Sequence, residues 1–132
     1  MKLIIAGGRG INEIRHVYDA MDKFFPSDFL PSTFSEIVSG CAYGADALGE
    51  RFAAVQSIPI KRFPADWDRH GKPAGFIRNK EMAEYADALL LLWDGKSKGS
   101  ENMLLEAARR GLRIYVYIVK TGLKNFINKE RL

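Results

Sequence analysis

The chain has 132 residues, 47% hydrophobic and 27% charged, with 20 Lys and Arg against 16 Asp and Glu for a net charge of +4. That length suits one domain with a real core and is too short for two, and that composition excludes disorder and low complexity. The apolar run Ala88–Trp93 is far below the roughly 20 residues of a membrane-spanning helix. With no export pattern at the N-terminus and a single cysteine, Cys41, the chain reads as a cytoplasmic protein without disulfide, metal, cofactor or membrane.

In chain order, a strand over Lys2–Ala6 runs into Gly7-Gly8-Arg9-Gly10. Glycines there let the backbone turn tightly and approach a ligand, and Arg9 can meet an anion. Ile14, Val17, Tyr18, Met21 and Phe25 then recur at helical spacing until Pro26 ends the helix, and Asp28 to Ser35 reads as a loop. A second strand, Glu36–Ser39, leads into Ser39-Gly40-Cys41-Ala42-Tyr43-Gly44-Ala45-Asp46. Small residues before a helix start expose main-chain N–H groups beside its partial positive charge, which suits a phosphate or carboxylate. Ser39, Gly40, Cys41 and Gly44 are therefore candidate ligand contacts. Asp46 either favours the helix start or accepts ribose hydroxyls, and Cys41 reads as a small residue packed in the turn, with no His or Asp placed to activate it. Ala45, Leu48, Phe52 and Val55 form one apolar helical face.

A third strand, Pro59–Phe63, is followed by a polar loop from Pro64 to Gly75 and a helix ending near Ala86. Met82, Tyr85 and Ala86 share its inner face, and Arg78, four residues before Met82, directs its guanidinium toward the sheet edge. Trp67 is expected to pack the loop. The unalternating run Ala88–Trp93 fits a strand buried on both faces. After it, Asp94-Gly95-Lys96-Ser97-Lys98-Gly99-Ser100-Glu101 lacks the earlier glycine of a P-loop. Gly99 and Ser100 still offer an anion cradle, with Asp94 beside them and Glu101 as a cap or a group acting on substrate. The last helix, near Gly99 to Arg110, carries Met103, Leu104, Ala107 and Ala108 and ends at Gly111. A strand over Arg113–Val119 completes the series.

This alternation predicts an α/β fold, a Rossmann-like three-layer sandwich with a mostly parallel sheet of about five strands flanked by helices. Residues 1–119 form the domain, and 120–132 a basic C-terminal tail or terminal helix. In such a sheet ligands bind beyond the carboxyl ends of the strands. Lys61, Arg62, Arg69, Lys72, Arg78 and Lys80, opposed by Asp66 and Asp68, favour an anionic ligand.

Three segments resemble the SLOG superfamily, and within it the YspA or DUF2493 family of bacterial and phage proteins. They are Ala6-Gly7-Gly8-Arg9, then Val38 to Asp46, and the specific stretch from Phe63 through Asp66-Trp67-Asp68-Arg69-His70-Gly71-Lys72 to Arg78-Asn79. The resemblance implies a Rossmann-like fold that senses or processes nucleotide-derived ligands and, from its relatives, a homodimer. In the LOG-type phosphoribohydrolase branch, an arginine and the glutamate of a Gly-Gly-x-Gly-Thr-x-x-Glu turn cleave the N-glycosidic bond of nucleoside monophosphates. Arg78 matches that arginine by position. Gly99-Ser100 stands where Gly-Thr would be, with Glu101 directly after it and Asn102 or Met103 where the glutamate is expected. Arg78 and Glu101 are thus the catalytic candidates, and Arg78 with Asn79 joins the ligand-binding set. The single-stranded-DNA-binding protein DprA has a similar turn to Ser39–Asp46. Three functions follow as expectations: binding a phosphorylated nucleotide-derived molecule, hydrolysing a nucleoside 5'-monophosphate, or binding single-stranded nucleic acid.

Overall fold

Apolar runs bounded by glycine turns become strands here because each can hydrogen-bond a parallel neighbour while helices cover both sheet faces. The computed structural model describes residues 1–26 and 33–120. The strands are β1 (Lys2–Gly7), β2 (Glu36–Ser39), β3 (Ile60–Arg62), β4 (Ala88–Trp93) and β5 (Arg113–Ile118). They form one sheet in the order β3-β2-β1-β4-β5, with every pairing parallel. β1 registers Ile4 against Val38 on one side and Leu89 on the other. The central strands thus carry apolar residues on both faces: Leu3, Ile5, Leu90 and Leu92 enter one core cluster, Ile4, Ala6, Leu89 and Leu91 the opposite one.

The first cluster is covered by α1 (Arg15–Phe24) and α2 (Ala45–Val55), through Val17, Met21, Leu48 and Phe52. The second is covered by α4 (Ala74–Tyr85) and α5 (Lys98–Arg109), through Met82, Ala83, Met103 and Ala107. The expected three-layer arrangement is therefore present, and the chain reverses direction across the sheet between β1 and β4. No helix among the described residues is long and apolar enough to cross a membrane.

The expected loop from Pro64 to Gly75 departs from its reading, since a short helix, α3 (Trp67–His70), interrupts it. Its cause is local: Asp66 sits at the N-cap and its carboxylate accepts the Arg69 N–H at 3.1 Å, the bond that favours Asp at a helix start. The loop read over 28–35 and the basic tail read over 120–132 fall, for residues 28–32 and 121–132, outside the described residues.

Candidate functional site

The carboxyl ends of β1 and β4, where the strand order reverses, are where an open parallel sheet leaves a crevice. Gly7 ends β1 there at φ 154, and a Cβ on it would sit 1.9 Å from the Leu92 carbonyl oxygen of β4. The turn is tied to β4 by the Gly8 N–H, which donates to the same carbonyl at 3.1 Å. It is tied to α2 by the Ala45 N–H, which donates to the Gly8 carbonyl at 3.1 Å. Gly44, at φ 76, makes that contact feasible, because a Cβ there would lie 2.4 Å from the Gly8 oxygen. The α2 start therefore spends its first donor on the neighbouring turn.

The turn after β2 is held from within. Asp46, in the first turn of α2, makes no helix-cap bond; its Oδ2 accepts the Ala42 N–H at 3.1 Å and so closes the loop before the helix. Burial raises the Asp46 pKa above the ordinary carboxylate value, against the Ala42 hydrogen bond and the Arg78 charge, which lower it. Ser39 is buried; its Oγ donates to Glu50 Oε2 at 2.7 Å and accepts the Cys41 N–H at 3.1 Å. The sequence predicts a packed Cys41, but the residue is exposed, with a left-handed backbone at φ 64. Partial desolvation, then the Glu50 carboxylate, raise its thiol pKa, so the thiolate nucleophile is disfavoured.

Arg78 extends from α4 across the end of β2, as its spacing predicted. Its Nη1 donates to the Gly40 carbonyl, and its Nε donates to Asn79 Oδ1 at 3.0 Å. A Cβ on Gly40 would approach both Arg78 Nη1 and Asp46 Oδ2 at 2.8 Å, so both side chains crowd against this glycine. Burial lowers the Arg78 pKa, and the Asp46 charge opposes that. Asn79 is buried and donates through Nδ2 to Asn102 Oδ1 at 2.9 Å, joining α4 to α5.

At the start of α5, Ser97 is the N-cap: its Oγ accepts the Ser100 N–H at 3.4 Å, and its carbonyl accepts the Glu101 N–H at 3.1 Å. A helix start has four amides without intrahelical partners, so Lys98 and Gly99 remain the donors this end can present. Asp94 accepts the Lys96 and Ser97 N–H groups at 2.8 and 3.0 Å, which lowers its pKa and fixes the turn after β4.

These elements enclose a cavity of about 420 Å³. Of the predicted residues, Gly7, Gly8, Arg9, Asp46, Arg78, Asn79, Asp94, Gly99 and Ser100 line it. Gly40 and Cys41 line an adjoining cavity with Arg9 and Arg78. Ser39, Gly44 and Glu101 line neither; the first two hold the turns together, and Glu101 is exposed on α5. Sequence reasoning missed Ile11, Gly75, Phe76 and Met103, and it assigned Trp67 to packing the loop although it lines the cavity, as does Lys72 from the basic stretch that favours an anion. Trp67 is 50% exposed, not buried. The signal lay in the long Phe63–Asn79 segment, whose Trp, Lys and Phe line the same cavity as the β1 turn. Among the described residues no group of three or more His, Cys, Asp or Glu side chains could hold a metal ion.

A parallel sheet with a cation-bearing cleft at its switch point defines a Rossmann-like domain. The family model described as YspA, cpYpsA-related SLOG family matches residues 1–70, and the chain belongs to that family. The Gene 61 protein of Mycobacterium phage D29 is 31% identical over 120 residues, covering 86% of this chain and 93% of that protein. No solved structure matches the chain. Membership of the SLOG family points to a nucleotide-related function.

Proposed function

We propose that the cleft binds a phosphorylated, nucleotide-derived ligand without cleaving it. The observation that carries this reading is the convergence of Arg9, Lys72 and Arg78 on one cavity at the strand-order reversal. Three cations facing a partly enclosed volume favour a phosphate, and guanidinium groups match its oxygens two at a time. The Gly99 amide adds a donor at a helix start. Met82 and Met103 give the cavity an apolar floor, and the half-exposed Trp67 ring offers a stacking face for a base.

Hydrolysis of the phosphoribohydrolase kind needs a carboxylate beside the arginine. Glu101 lies outside the cavity lining, Asp94 uses Oδ1 to hold its own turn, and Asp46, the carboxylate nearest Arg78, uses Oδ2 to hold the Ala42 amide, which favours binding over cleavage. Single-stranded nucleic acid is the second reading, favoured by Tyr43, which is 82% exposed beside Arg9. Calorimetric titration with AMP, followed by chromatography for free adenine, tests the assignment. Saturable binding with no released base is expected. Released base would establish the hydrolase, and an oligonucleotide affinity falling steeply with salt, with none for AMP, would establish the nucleic-acid reading.

A further inference from the structure

Beside the cavity of about 420 Å³ lies a second of about 570 Å³, at the carboxyl ends of β2 and β3. Arg9, Ala42, Trp67 and Arg78 line both. The two are therefore halves of one cleft, meeting at a waist that carries two guanidinium groups. Each half by itself falls within the roughly 300–1,000 Å³ typical of a small-molecule site. One nucleoside monophosphate leaves half of this space unused.

We propose that the whole cleft binds a ligand made of two nucleoside-like units joined through phosphate, with the phosphate between Arg9 and Arg78 and one unit in each half. This rests on the reading of the first cavity as a nucleotide site. Neither arginine forms an ion pair among the described residues; the buried Asp46 carboxylate offsets part of both charges, and two neighbouring guanidinium groups still favour a further anion between them. A diphosphate bridge brings two negative charges to that waist and can engage both forks.

The second half has the surface that a planar group requires. Tyr43 and Trp67, 82% and 50% exposed, flank it together with Pro64 and Ala65, and exposed aromatic faces are stacking platforms for bases of any sequence. Its backbone side is held firmly. The left-handed Cys41 is fixed by its N–H to Ser39 Oγ, Ser39 donates to Glu50, and Glu50 pairs with Arg62 at 2.9 Å. A non-glycine residue keeps such a conformation only where its surroundings hold it there.

The test is calorimetric titration of the full chain with AMP, diadenosine diphosphate and a single-stranded deoxyadenosine tetranucleotide. Diadenosine diphosphate is expected to bind about tenfold or more tighter than AMP, the gain from stacking one further base. Ala65→Phe, which fills the second half, and Tyr43→Ala, which removes a solvent-facing ring and leaves the core intact, are each expected to bring it down to the AMP affinity without changing AMP binding. Equal wild-type affinity for AMP and diadenosine diphosphate would overturn the two-unit inference and leave the nucleotide site standing. Absence of binding by either would overturn both. Loss of AMP binding in both variants would place the single nucleotide in the second half and also overturn it. A tetranucleotide that binds tighter than diadenosine diphosphate keeps the two-unit chemistry and identifies a single strand as its source.

Discussion

The two walls of the cleft are built differently. The turns after β1 and β2 are locked to each other and to the sheet: the Gly8 amide bonds Leu92, the Ala45 amide bonds Gly8, and the Ala42 amide bonds Asp46. The opposite wall, from Pro64 to Phe76, carries exposed Trp67 and Phe76 around a short helix with no buried residues. Backbone that must stay close to a phosphate is fixed by burial and mutual hydrogen bonding, whereas the side chains that meet the rest of a ligand stand on a lightly buried arm. Changes in the first wall should therefore cost the fold, and changes in the second only the ligand.

The largest effect is expected at Gly7. An alanine there would combine an unfavourable φ with a Cβ overlapping the Leu92 carbonyl, costing about 4 kcal/mol or more out of a total stability of about 5–15 kcal/mol. Urea unfolding measures it, and a Gly7→Ala protein as stable as the wild type would mean that β1 and β4 are not joined as described. Arg78, which reaches from the arm side to the turn side, comes next. Arg78→Ala leaves the Gly40 carbonyl and Asn79 Oδ1 without their donor, a loss of about 1–3 kcal/mol, together with at least about a tenfold loss of AMP affinity. Unchanged affinity would confine Arg78 to bracing the cleft.

A smaller effect, opposite in sign, is expected at Asp46. Burial raises its pKa in the folded protein, so the folded state holds the proton more tightly than the unfolded chain does. Its ionised form thus costs stability at neutral pH, and that cost is withdrawn as pH falls through the raised value toward the ordinary 3.8. Asp46→Asn keeps an acceptor for the Ala42 amide and is expected to raise Tm at pH 7. Its advantage over the wild type should vanish near pH 3.8; a gap independent of pH would show that Asp46 carries no buried charge.

Much of the turn wall was legible in the sequence because glycine placement and apolar runs are local signals. The strand bounds at Glu36–Ser39 and Ala88–Trp93 follow directly from them, and Arg78 was placed by helical spacing from Met82. What could not be read was which polar groups the protein would use on itself. Ser39 and Gly44 have the composition of a phosphate-binding turn, yet one is engaged by Glu50 and the other lets α2 touch Gly8. Such assignments depend on partners distant in the chain. The same holds for the arm: Trp67 is a large aromatic normally buried, yet its ring edge lies beside Gly75 and stays half-exposed at a cavity edge.

The most direct test of the central claim is backbone amide NMR during titration with AMP. Binding in the cleft predicts saturable shifts confined to Gly8–Gly10, Gly40–Ala42, the Trp67–Phe76 arm and Gly99–Ser100, with β5 unmoved. Shifts centred on β5 or on α1, or none at millimolar AMP, would contradict it.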